Sequence, residues 1–448
     1  MDLLTILEGI KDFVWGAPLI VLLMATGLYL TIRLGLIQVV KLPKAIKLIF
    51  SAENKGAGDI NSFGALCTAL AATVGTGNIV GVATAIGAGG PGALFWMWIA
   101  AFLGMATKYA EGVLAIKYRT KDANGQVSGG PMYYIERGLG EKYKPLAVFF
   151  AISAILVALL GIGTFSQVNA ITSSLQMTIG IDGRITSIIV AIIVATIVFG
   201  GIKSISKVSE KLIPFMAIIY ILFSLIILGM HYKAVIPAFM IIIKGAFSTS
   251  AAIGGFMGAT VAKAIQAGVA RGIFSNESGL GSAPIAAAAA KTEWPAEQGL
   301  ISMTGTFIDT IIICTLTGLS IIVTGAWCNG SKGAVVTQEA FASVMPLVGP
   351  YIVTFCLVLF AFTTILGWCY YGERCLEYLA GVKAIKFYRM TFTMMVALGG
   401  FLELDVIWCL ADIVNGLMAF PNLVALLGLS GVVINETKKY IKHIEENQ

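Results

Sequence analysis

The amino-acid sequence predicts an all-α integral membrane protein, and three observations support this fold class. Of the 448 residues, 58% are hydrophobic and 12% are charged, against about 25% charged in a typical soluble domain. Apolar runs of about 20 residues, long enough to cross ~30 Å of hydrocarbon, recur from Val14 to Val433. These runs lack the every-second-residue alternation of outer-membrane strands. Helices remain, because lipid leaves every backbone polar group to be satisfied within the chain.

Turn residues and lysines divide the chain into about 11 predicted transmembrane helices. Their spans are 14–36, 62–89, 92–116, 145–176, 185–202, 211–230, 238–290, 298–326, 346–372, 387–404 and 406–432. The span 238–290 is too long for one pass and is predicted to be broken. No linker is long enough to separate two independent domains, so that a single membrane domain is expected.

Basic residues predict the orientation of these helices. Most of the 30 Lys and Arg residues fall in stretches that we place in the cytoplasm, which are 33–55, 108–144, 203–211, 291, 374–389 and 438–442. The ends near Lys11, Arg184, Lys233 and Lys332 carry few basic residues and are placed outside. The positive-inside rule then predicts a multi-pass protein of the cell membrane, with its N-terminus outside and its C-terminus in the cytoplasm.

The polar composition argues against an enzyme. The seven cysteines show no CxxC spacing, and both His231 and His443 lie outside the apolar runs, so that zinc or triad chemistry is not expected. Segment 87–92 fits a GxGxxG pattern, but it follows a membrane helix and contains a proline, which argues against a nucleotide loop. The net charge of +6 reflects membrane orientation and does not indicate nucleic-acid binding. We expect no organic cofactor.

Segment 71–81 predicts a helix that breaks in the middle of the membrane. Its glycine and polar residues are Thr73, Gly75, Thr76, Gly77, Asn78 and Gly81. Glycine costs roughly 1 kcal/mol relative to alanine within a helix, so that three glycines in one span favour unwinding. Unwound backbone is tolerated in a bilayer where it lines a cavity or binds a ligand. The alternative is close helix packing, since Gly77 and Gly81 also form a small-xxx-small motif.

A second polar, glycine-rich segment, 271–284, lies within the predicted span 238–290. Its residues 276–283 (NESGLGSA) resemble residues 78–85 (NIVGVATA), and in the predicted topology the two segments cross the membrane in opposite directions. Two interrupted helices in matching places of two halves indicate a transporter site near the midplane. The alternative is a short cytoplasmic loop before the alanine-rich stretch 286–290.

Three acidic residues lie within predicted spans, where a charge costs at least ~2.5 kcal/mol and calls for a partner or a cavity. They are Glu277, Asp309 and Asp412. Glu277 is interpreted as a proton carrier, a cation ligand or a partner of Arg271, and the last interpretation is favoured. Asp309 and Asp412 are interpreted as polar contacts within the helix bundle.

Segment 91–107 (PGALFWMWIAAFLGMAT) closely resembles the signature of the alanine/glycine:cation symporter family, the sodium:alanine symporters. Stretches 129–134, 274–281 and 362–373 are similar to that family too, so that the resemblance covers essentially the whole chain. The family is similar in architecture to the leucine-transporter-like fold of the APC superfamily. The resemblance implies an extra helix and basic loop at 1–50, inverted five-helix repeats at 51–230 and 231–435, and a cytoplasmic tail at 436–448.

The resemblance also implies which residues bind ions and substrate. The implied sodium ligands are Ala71, Val74, Phe360, Thr363 and Thr364. A second cation position is implied near Thr73, Asn78 and Ser275. The implied substrate-binding residues are Ala72, Thr73, Thr76, Gly77, Asn78, Gln167, Phe274, Asn276, Gly279 and Trp368. In this pattern the amides of Thr76 and Gly77 face the substrate carboxylate, carbonyls of 274–276 face its ammonium group, and Trp368 walls the side-chain pocket.

We therefore expect a secondary transporter that couples inward sodium flow to uptake of alanine or glycine by alternating access. Its expected partners are the amino acid, the sodium ion and the lipid bilayer, and a monomer is sufficient. The alternatives are a proton-coupled carrier that uses Glu277, or a sodium symporter for another small amino acid. A channel or an intramembrane enzyme fits less well, because two broken helices favour a closed site and no paired catalytic motif is present.

Overall fold

The computed structural model describes residues 3–51, 56–247, 261–401 and 404–446. Regular structure in these ranges is helical apart from one antiparallel hairpin, formed by β1 (Thr120–Lys121) and β2 (Val127–Ser128). The N-terminal part consists of α1 (Leu3–Val14), α2 (Ala17–Arg33), α3 (Ile37–Val40) and α4 (Leu42–Ser51). Of these helices, α2 corresponds to the predicted span 14–36.

The next part begins with a bent helix, which we call the first broken helix. It consists of α5 (Ser62–Thr73), a π-helical turn (Gly77–Gly81) and α6 (Val82–Gly89). The helices that follow are α7 (Gly92–Lys117), α8 (Pro131–Tyr134), α9 (Lys144–Leu160), α10 (Phe165–Ile179), α11 (Gly183–Val198), α12 (Gly201–Met230) and α13 (Tyr232–Phe247). A π-helical turn (Ile135–Leu139) extends α8, and a 3-10 turn (Glu141–Tyr143) precedes α9.

The C-terminal part begins with a second interrupted helix, called the second broken helix, which consists of α14 (Val261–Asn276) and α15 (Ala283–Ala287). It continues with α16 (Pro295–Thr306), a π-helical stretch (Phe307–Cys314), α17 (Thr315–Val323), α18 (Ala334–Val344), α19 (Gly349–Ala380), α20 (Ala384–Leu398), α21 (Leu404–Gly428) and α22 (Ser430–Glu446). Short 3-10 turns lie at Ala326–Cys328 and Gly399–Phe401.

Seven helical stretches in the described ranges are long and apolar enough to cross a membrane, and counting the first broken helix as one span raises this to eight. The predicted spans 185–202 and 387–404 correspond to the shorter helices α11 and α20. Part of the predicted span 238–290 lies outside the described residues. The figure of about 11 passes therefore stays a prediction.

The surface around the bundle is apolar, as a protein in lipid requires. On α11 and α12 the large side chains of Ile189, Ile192, Phe215 and Ile218 are at least half exposed. The polar residues are instead concentrated in the interior, the reverse of a soluble domain. The chain is thus a multi-pass helical membrane protein.

Two long helices, α7 and α19, flank the first broken helix and organise the core. Helix α7 packs against α14, α16 and α2, while α19 packs against α5, α9, α10 and α12. Small residues permit this close packing. A Cβ atom at Gly104 of α7 would lie 2.8 Å from the Cβ atom of Ser278, so that only glycine lets α7 approach the second broken helix here.

Several elements of the fold were not predicted. Helices α1, α4, α18 and α22 and the β hairpin lie between or beside the predicted spans. They are short or amphipathic, and a search for ~20-residue apolar runs does not detect such elements. Helix α22 continues through residue 446, so that the tail predicted at 436–448 begins inside it.

Candidate functional site

The first broken helix is interrupted where its glycines predict. Helix α5 ends because Val74 adopts an extended backbone, and the axis bends by 51° before α6. The side chain of Asn78 stabilises this turn, since its Oδ1 accepts a hydrogen bond of 2.9 Å from the amide of Gly75. A mid-span break in this segment is confirmed.

The same segment also packs closely, but at one of the two motif glycines. A Cβ atom at Gly77 would lie 2.9 Å from the Cα atom of Ser275, whereas one at Gly81 would meet no atom within 4 Å. Gly77 is therefore one place where the two broken helices pack closely against each other. The small-xxx-small interpretation explains Gly77 and leaves Gly81 unexplained.

The second broken helix is interrupted by a left-handed segment. Helix α14 ends at Asn276, and Glu277, Gly279 and Gly281 have φ angles of 56°, 90° and 83°. Residues 272–290 are buried. A solvent-exposed loop is excluded by this burial, so that the interruption lies inside the bundle.

Two oppositely charged residues of α7 hold this interruption. The Nζ atom of Lys108 donates to the carbonyl oxygen of Asn276 at 2.8 Å, and Oε1 of Glu111 accepts from the amides of Gly279 and Gly281 at 3.1 and 3.2 Å. The ammonium group of Lys108 thus caps the C-terminal end of α14, while the carboxylate of Glu111 accepts hydrogen bonds from the amides that follow. The sequence analysis placed Lys108 in a cytoplasmic loop, which is wrong, because it is buried within a helix.

Asp309 joins the two broken helices through a buried network that the sequence analysis interpreted only as a bundle contact. Its Oδ1 accepts from Nδ2 of Asn78 at 2.7 Å, and its Oδ2 accepts from the hydroxyls of Ser275 and Thr310 at 2.9 and 2.7 Å. It lies in the π-helical stretch that precedes α17. Such distortions of a helix are frequent at functional sites. Asn78 and Ser275, two residues of the predicted second cation position, are therefore brought together around a carboxylate.

Helix α19 meets the first broken helix on its other side. A Cβ atom at Gly75 would overlap with Oγ1 of Thr364, and one at Gly367 would lie 2.8 Å from the Cβ atom of Ala72. The hydroxyls of Thr363 and Thr364 both donate to the carbonyl of Phe360 at 3.0 Å. The predicted sodium ligands on α19 thus lie against the break itself, and Ala71 and Val74 are buried in that break.

Gln167 presents an unpaired oxygen at the same place. Its Nε2 donates to Oγ1 of Thr76 at 3.2 Å, while its buried Oε1 has no hydrogen-bond partner among the described residues. A Cβ atom at Gly75 would lie 3.5 Å from this oxygen. A buried acceptor without a partner costs about 1–3 kcal/mol, so that this oxygen is available to accept a further hydrogen bond.

Two predicted site residues, Thr73 and Gly279, make contacts away from the place where Gly77 meets Ser275. The hydroxyl of Thr73 donates to the carbonyls of Ala69 and Leu70 in its own helix, at 3.2 and 3.4 Å. Gly279 lies on the far side of the second interruption, where a Cβ atom would be 2.7 Å from the side chain of Leu23. Neither of these contacts involves Gly77 or Ser275.

The prediction that Glu277 pairs with Arg271 is wrong. Arg271 forms a two-pronged ion pair with Asp412, at 2.9 and 3.1 Å, and its guanidinium lies 5.3 Å from the ring centre of Phe274. Glu277 instead accepts from the indole Nε1 of Trp368 at 2.9 Å. The interpretation of Asp412 as a bundle contact is confirmed.

A cavity opens next to this ion pair, at the end of the bundle that is predicted to face outside (the outer end). It has a volume of about 480 Å³. Its lining includes Lys11, Asp12, Thr84, Gln266, Arg271 and Asp412. The Arg271–Asp412 pair therefore forms part of the cavity wall, and Phe274 contacts the guanidinium of that pair.

The opposite end, predicted to face the cytoplasm (the inner end), is closed by the β hairpin. Arg374 of α19 and Asp122 of the hairpin form a buried ion pair of 2.9 Å, and the amide of Val127 donates to Asp59 at 2.8 Å. Arg119 donates to three carbonyls beyond α15, which belong to Ala288, Ala290 and Thr292. These contacts hold the hairpin and Arg119 against α19 and the residues that follow α15.

Two facing broken helices, with polar groups at their interruptions and one closed end, define a secondary transporter of the leucine-transporter-like fold. The structure is similar to the crystal structure of MhsT in complex with L-phenylalanine, with a TM-score of 0.57 over 85% of this chain and 99% of that chain. The two sequences are 13% identical, so that this likeness shows the fold alone. The predicted fold class is confirmed.

The family model of the sodium:alanine symporter family matches residues 1–448, and the chain belongs to that family. It is 50% identical over 456 residues to the sodium/alanine symporter AgcS of Methanococcus maripaludis, with 100% of this chain and 99% of the relative covered. An uncharacterized transporter of Haemophilus influenzae is 59% identical over 449 residues, covering 100% and 98%. The resemblance seen in segment 91–107 is confirmed, and the chain is a transporter rather than an enzyme.

Proposed function

We propose that this chain imports alanine, and also glycine, together with sodium by alternating access. The observation that carries the proposal is the buried meeting point of the two broken helices and α19, where Gly75, Thr364 and the unpaired oxygen of Gln167 converge. Coupling ions and substrates of this fold class bind at such interruptions. The relative from Methanococcus, named as a sodium/alanine symporter, supports the same assignment.

The proposed sodium ligands are neutral oxygens. The carbonyls of Ala71, Val74 and Phe360 and the hydroxyls of Thr363 and Thr364 form the set. Hard cations prefer oxygen ligands, and hydroxyl groups rotate freely to present a lone pair. An ion bound here ties α19 to the first broken helix, so that sodium favours conformations in which these elements are close.

The proposed second cation position lies at Asp309, between Asn78 and Ser275. The carboxylate supplies negative charge, and the hydroxyls of Ser275 and Thr310 are additional oxygen ligands within hydrogen-bond distance of it. Thr73, the remaining residue of this predicted position, has its hydroxyl bonded to carbonyls of α5. We therefore assign the position to Asp309 and Ser275, with Asn78 holding the carboxylate in place through its Nδ2.

The amino acid is proposed to bind between the two interruptions. Its carboxylate accepts from the amides of Thr76 and Gly77, because they lie at the N-terminal end of the π-helical turn, where the helix dipole favours an anion. Its ammonium group donates to Oε1 of Gln167 and to carbonyls at the end of α14. The carbonyl of Asn276 already accepts from Lys108, so that Phe274 and Ser275 supply the carbonyls.

Energetically, one sodium ion is sufficient to drive uptake. Moving one elementary charge across 100 mV releases ~2.3 kcal/mol. This energy supports roughly 40-fold accumulation before any sodium gradient is counted.

Uptake by the purified protein in proteoliposomes tests the proposal. Labelled alanine should accumulate saturably when sodium is present outside, and much less with lithium or with a proton gradient alone. Labelled glycine should compete with alanine. Accumulation driven by a proton gradient without sodium would instead support the carrier centred on Glu277. Equilibration without accumulation would contradict symport.

A further inference from the structure

Trp368 lies next to residues of the proposed substrate site. It follows Thr364 by one turn of α19, on the same face and toward the inner end, and Thr364 itself lies against Gly75. On the other side, a Cβ atom at Gly163 would lie 2.8 Å from the Cβ atom of Trp368. Gly163 precedes Gln167 by one turn, in the connection between α9 and α10. Trp368 is therefore wedged between elements that also form the site.

The indole ring is held at two points. Its Nε1 donates to Oε1 of Glu277 at 2.9 Å, and the ring of Tyr371 meets it edge to face with centres 5.5 Å apart. Trp368 is fully buried. The hydrogen bond fixes the rotation of the indole, whereas an edge-to-face contact alone allows the ring to slide.

Glu277 is itself rigidly placed. Its backbone has a φ of 56°, a left-handed conformation that a non-glycine residue rarely adopts, and its side chain is fully buried. Its Oε2 accepts from the hydroxyl of Ser282 at 2.5 Å, across the second interruption. Both carboxylate oxygens are thus engaged, one with the interruption and one with Trp368.

We propose that Glu277 is a positioning residue for substrate specificity, which holds the indole of Trp368 as the floor of the site and thereby limits the length of the side chain that fits. This inference rests on the proposed function. Since both oxygens of Glu277 are engaged within the protein, it acts through Trp368 rather than by touching the substrate. A fixed floor excludes longer side chains by steric clash, which discriminates better than the small difference in burial of one methylene group.

Competition uptake with substituted proteins tests this role. Labelled alanine uptake is measured against unlabelled alanine, valine and leucine for the wild type, E277Q, E277M, E277D and W368A. Gln keeps an acceptor for the indole N–H, whereas Met has a similar length and no acceptor of comparable strength. Asp keeps the charge and tolerates a left-handed backbone but withdraws the oxygen from Trp368. The expected result is wild-type selectivity for E277Q, and several-fold better competition by valine and leucine for E277M, E277D and W368A.

Two further variants separate positioning from direct contact. S282A removes the hydroxyl from the other carboxylate oxygen and leaves the bond to Trp368 in place, so that selectivity should stay close to that of the wild type. Combining E277M with W368A should change selectivity no more than W368A alone, because interacting residues are non-additive. Additive changes would show that Glu277 acts independently of Trp368 and would overturn the proposal.

Folding defects are controlled by thermal unfolding in detergent. Should E277M not fold, E277D still decides, and E277D combined with W368A replaces the double variant. Wild-type selectivity in a folded E277D together with relaxed selectivity in W368A would overturn the inference. Failure of the proposed function would give a different result in the uptake assay from failure of this inference. The wild type would then lack sodium-stimulated alanine uptake altogether, and the comparison of selectivity among variants would not arise.

Discussion

The side chain of Gln167 combines one satisfied and one unsatisfied group, which makes it a sensitive test of substrate binding. Gln167→Met keeps the length of the side chain and removes the free oxygen. A hydrogen bond to a charged group contributes about 1.5–3 kcal/mol, so that we expect alanine affinity to fall roughly 10–100-fold. Binding of labelled alanine measures this loss. The substitution also removes the bond to Thr76, which should lower the free energy of unfolding by about 1 kcal/mol.

The matched control lies on the same helix. Gln176 of α10 is exposed, so that Gln176→Met should leave alanine affinity and stability nearly unchanged. A Gln167→Met protein with wild-type affinity would remove Gln167 from the site.

The hydroxyl of Thr364 provides a test of coupling at the scale of one atom. Thr364→Ala removes one proposed sodium ligand and leaves the others, and should shift the sodium dependence of alanine binding to several-fold higher concentration. By linkage, alanine affinity at fixed sodium should fall and be partly rescued by excess sodium. Thr364→Ser retains the hydroxyl and should have a much smaller effect. Unchanged sodium dependence in Thr364→Ala would contradict the proposed sodium site.

Single residues also show where sequence reasoning reached its limit. Thr364 and Gln167 were selected through the family resemblance, and the structure brings both to Gly75. The roles of Lys108, Glu111 and Asp309 were missed. A charged residue within an apolar run signals that a partner exists, but its partners lie on other helices and leave no mark in the local pattern.

At the scale of elements, the close approach of the first broken helix to Ser275 depends on Gly77. Gly77→Ala places a methyl group 2.9 Å from the Cα atom of Ser275, where backbone must move. Overpacking of this kind costs typically about 1–3 kcal/mol, and we expect sodium-dependent alanine uptake to fall at least ~10-fold. Uptake in proteoliposomes at equal protein content measures the effect.

Gly81→Ala is the control within the same π-helical turn. A methyl group there meets no atom within 4 Å, so that uptake should remain close to that of the wild type. Equal loss in both variants would mean that flexibility of the turn, and not the contact with Ser275, limits transport.

The interruptions of the two helices were predictable because glycine and polar residues in an apolar span oppose helix formation. The contacts made by these interruptions were less predictable. The pairing of Glu277 with Arg271 was predicted without knowing where the helix ends. Helix α14 ends at Asn276, and the left-handed backbone of Glu277 turns its side chain toward α19. One change of backbone conformation thus redirected a side chain that sequence spacing alone could not orient.

At the scale of the whole molecule, the orientation in the membrane follows from charge and remains a prediction. Single cysteines introduced at Lys332 and Lys383, both exposed, test it in a background that carries Cys328→Ser, because Cys328 is an exposed native thiol. An impermeant maleimide added to intact cells should label Lys332→Cys and spare Lys383→Cys. Permeabilised cells should show labelling at both positions, which controls for reactivity. The reverse pattern in intact cells would invert the topology.

The closed inner end has a consequence for the speed of the transport cycle. In the proposed cycle, release of substrate toward that end requires three sets of contacts to open. They are the Arg374–Asp122 pair, the Asp59–Val127 contact and the hydrogen bonds of Arg119 to three carbonyls. Because several polar contacts break together in this step, one of them a buried ion pair, it should have a high activation enthalpy. Turnover should then rise steeply with temperature, while the affinity for alanine measured from the outer side changes little. Opening of the hairpin would in that case limit the rate of the cycle.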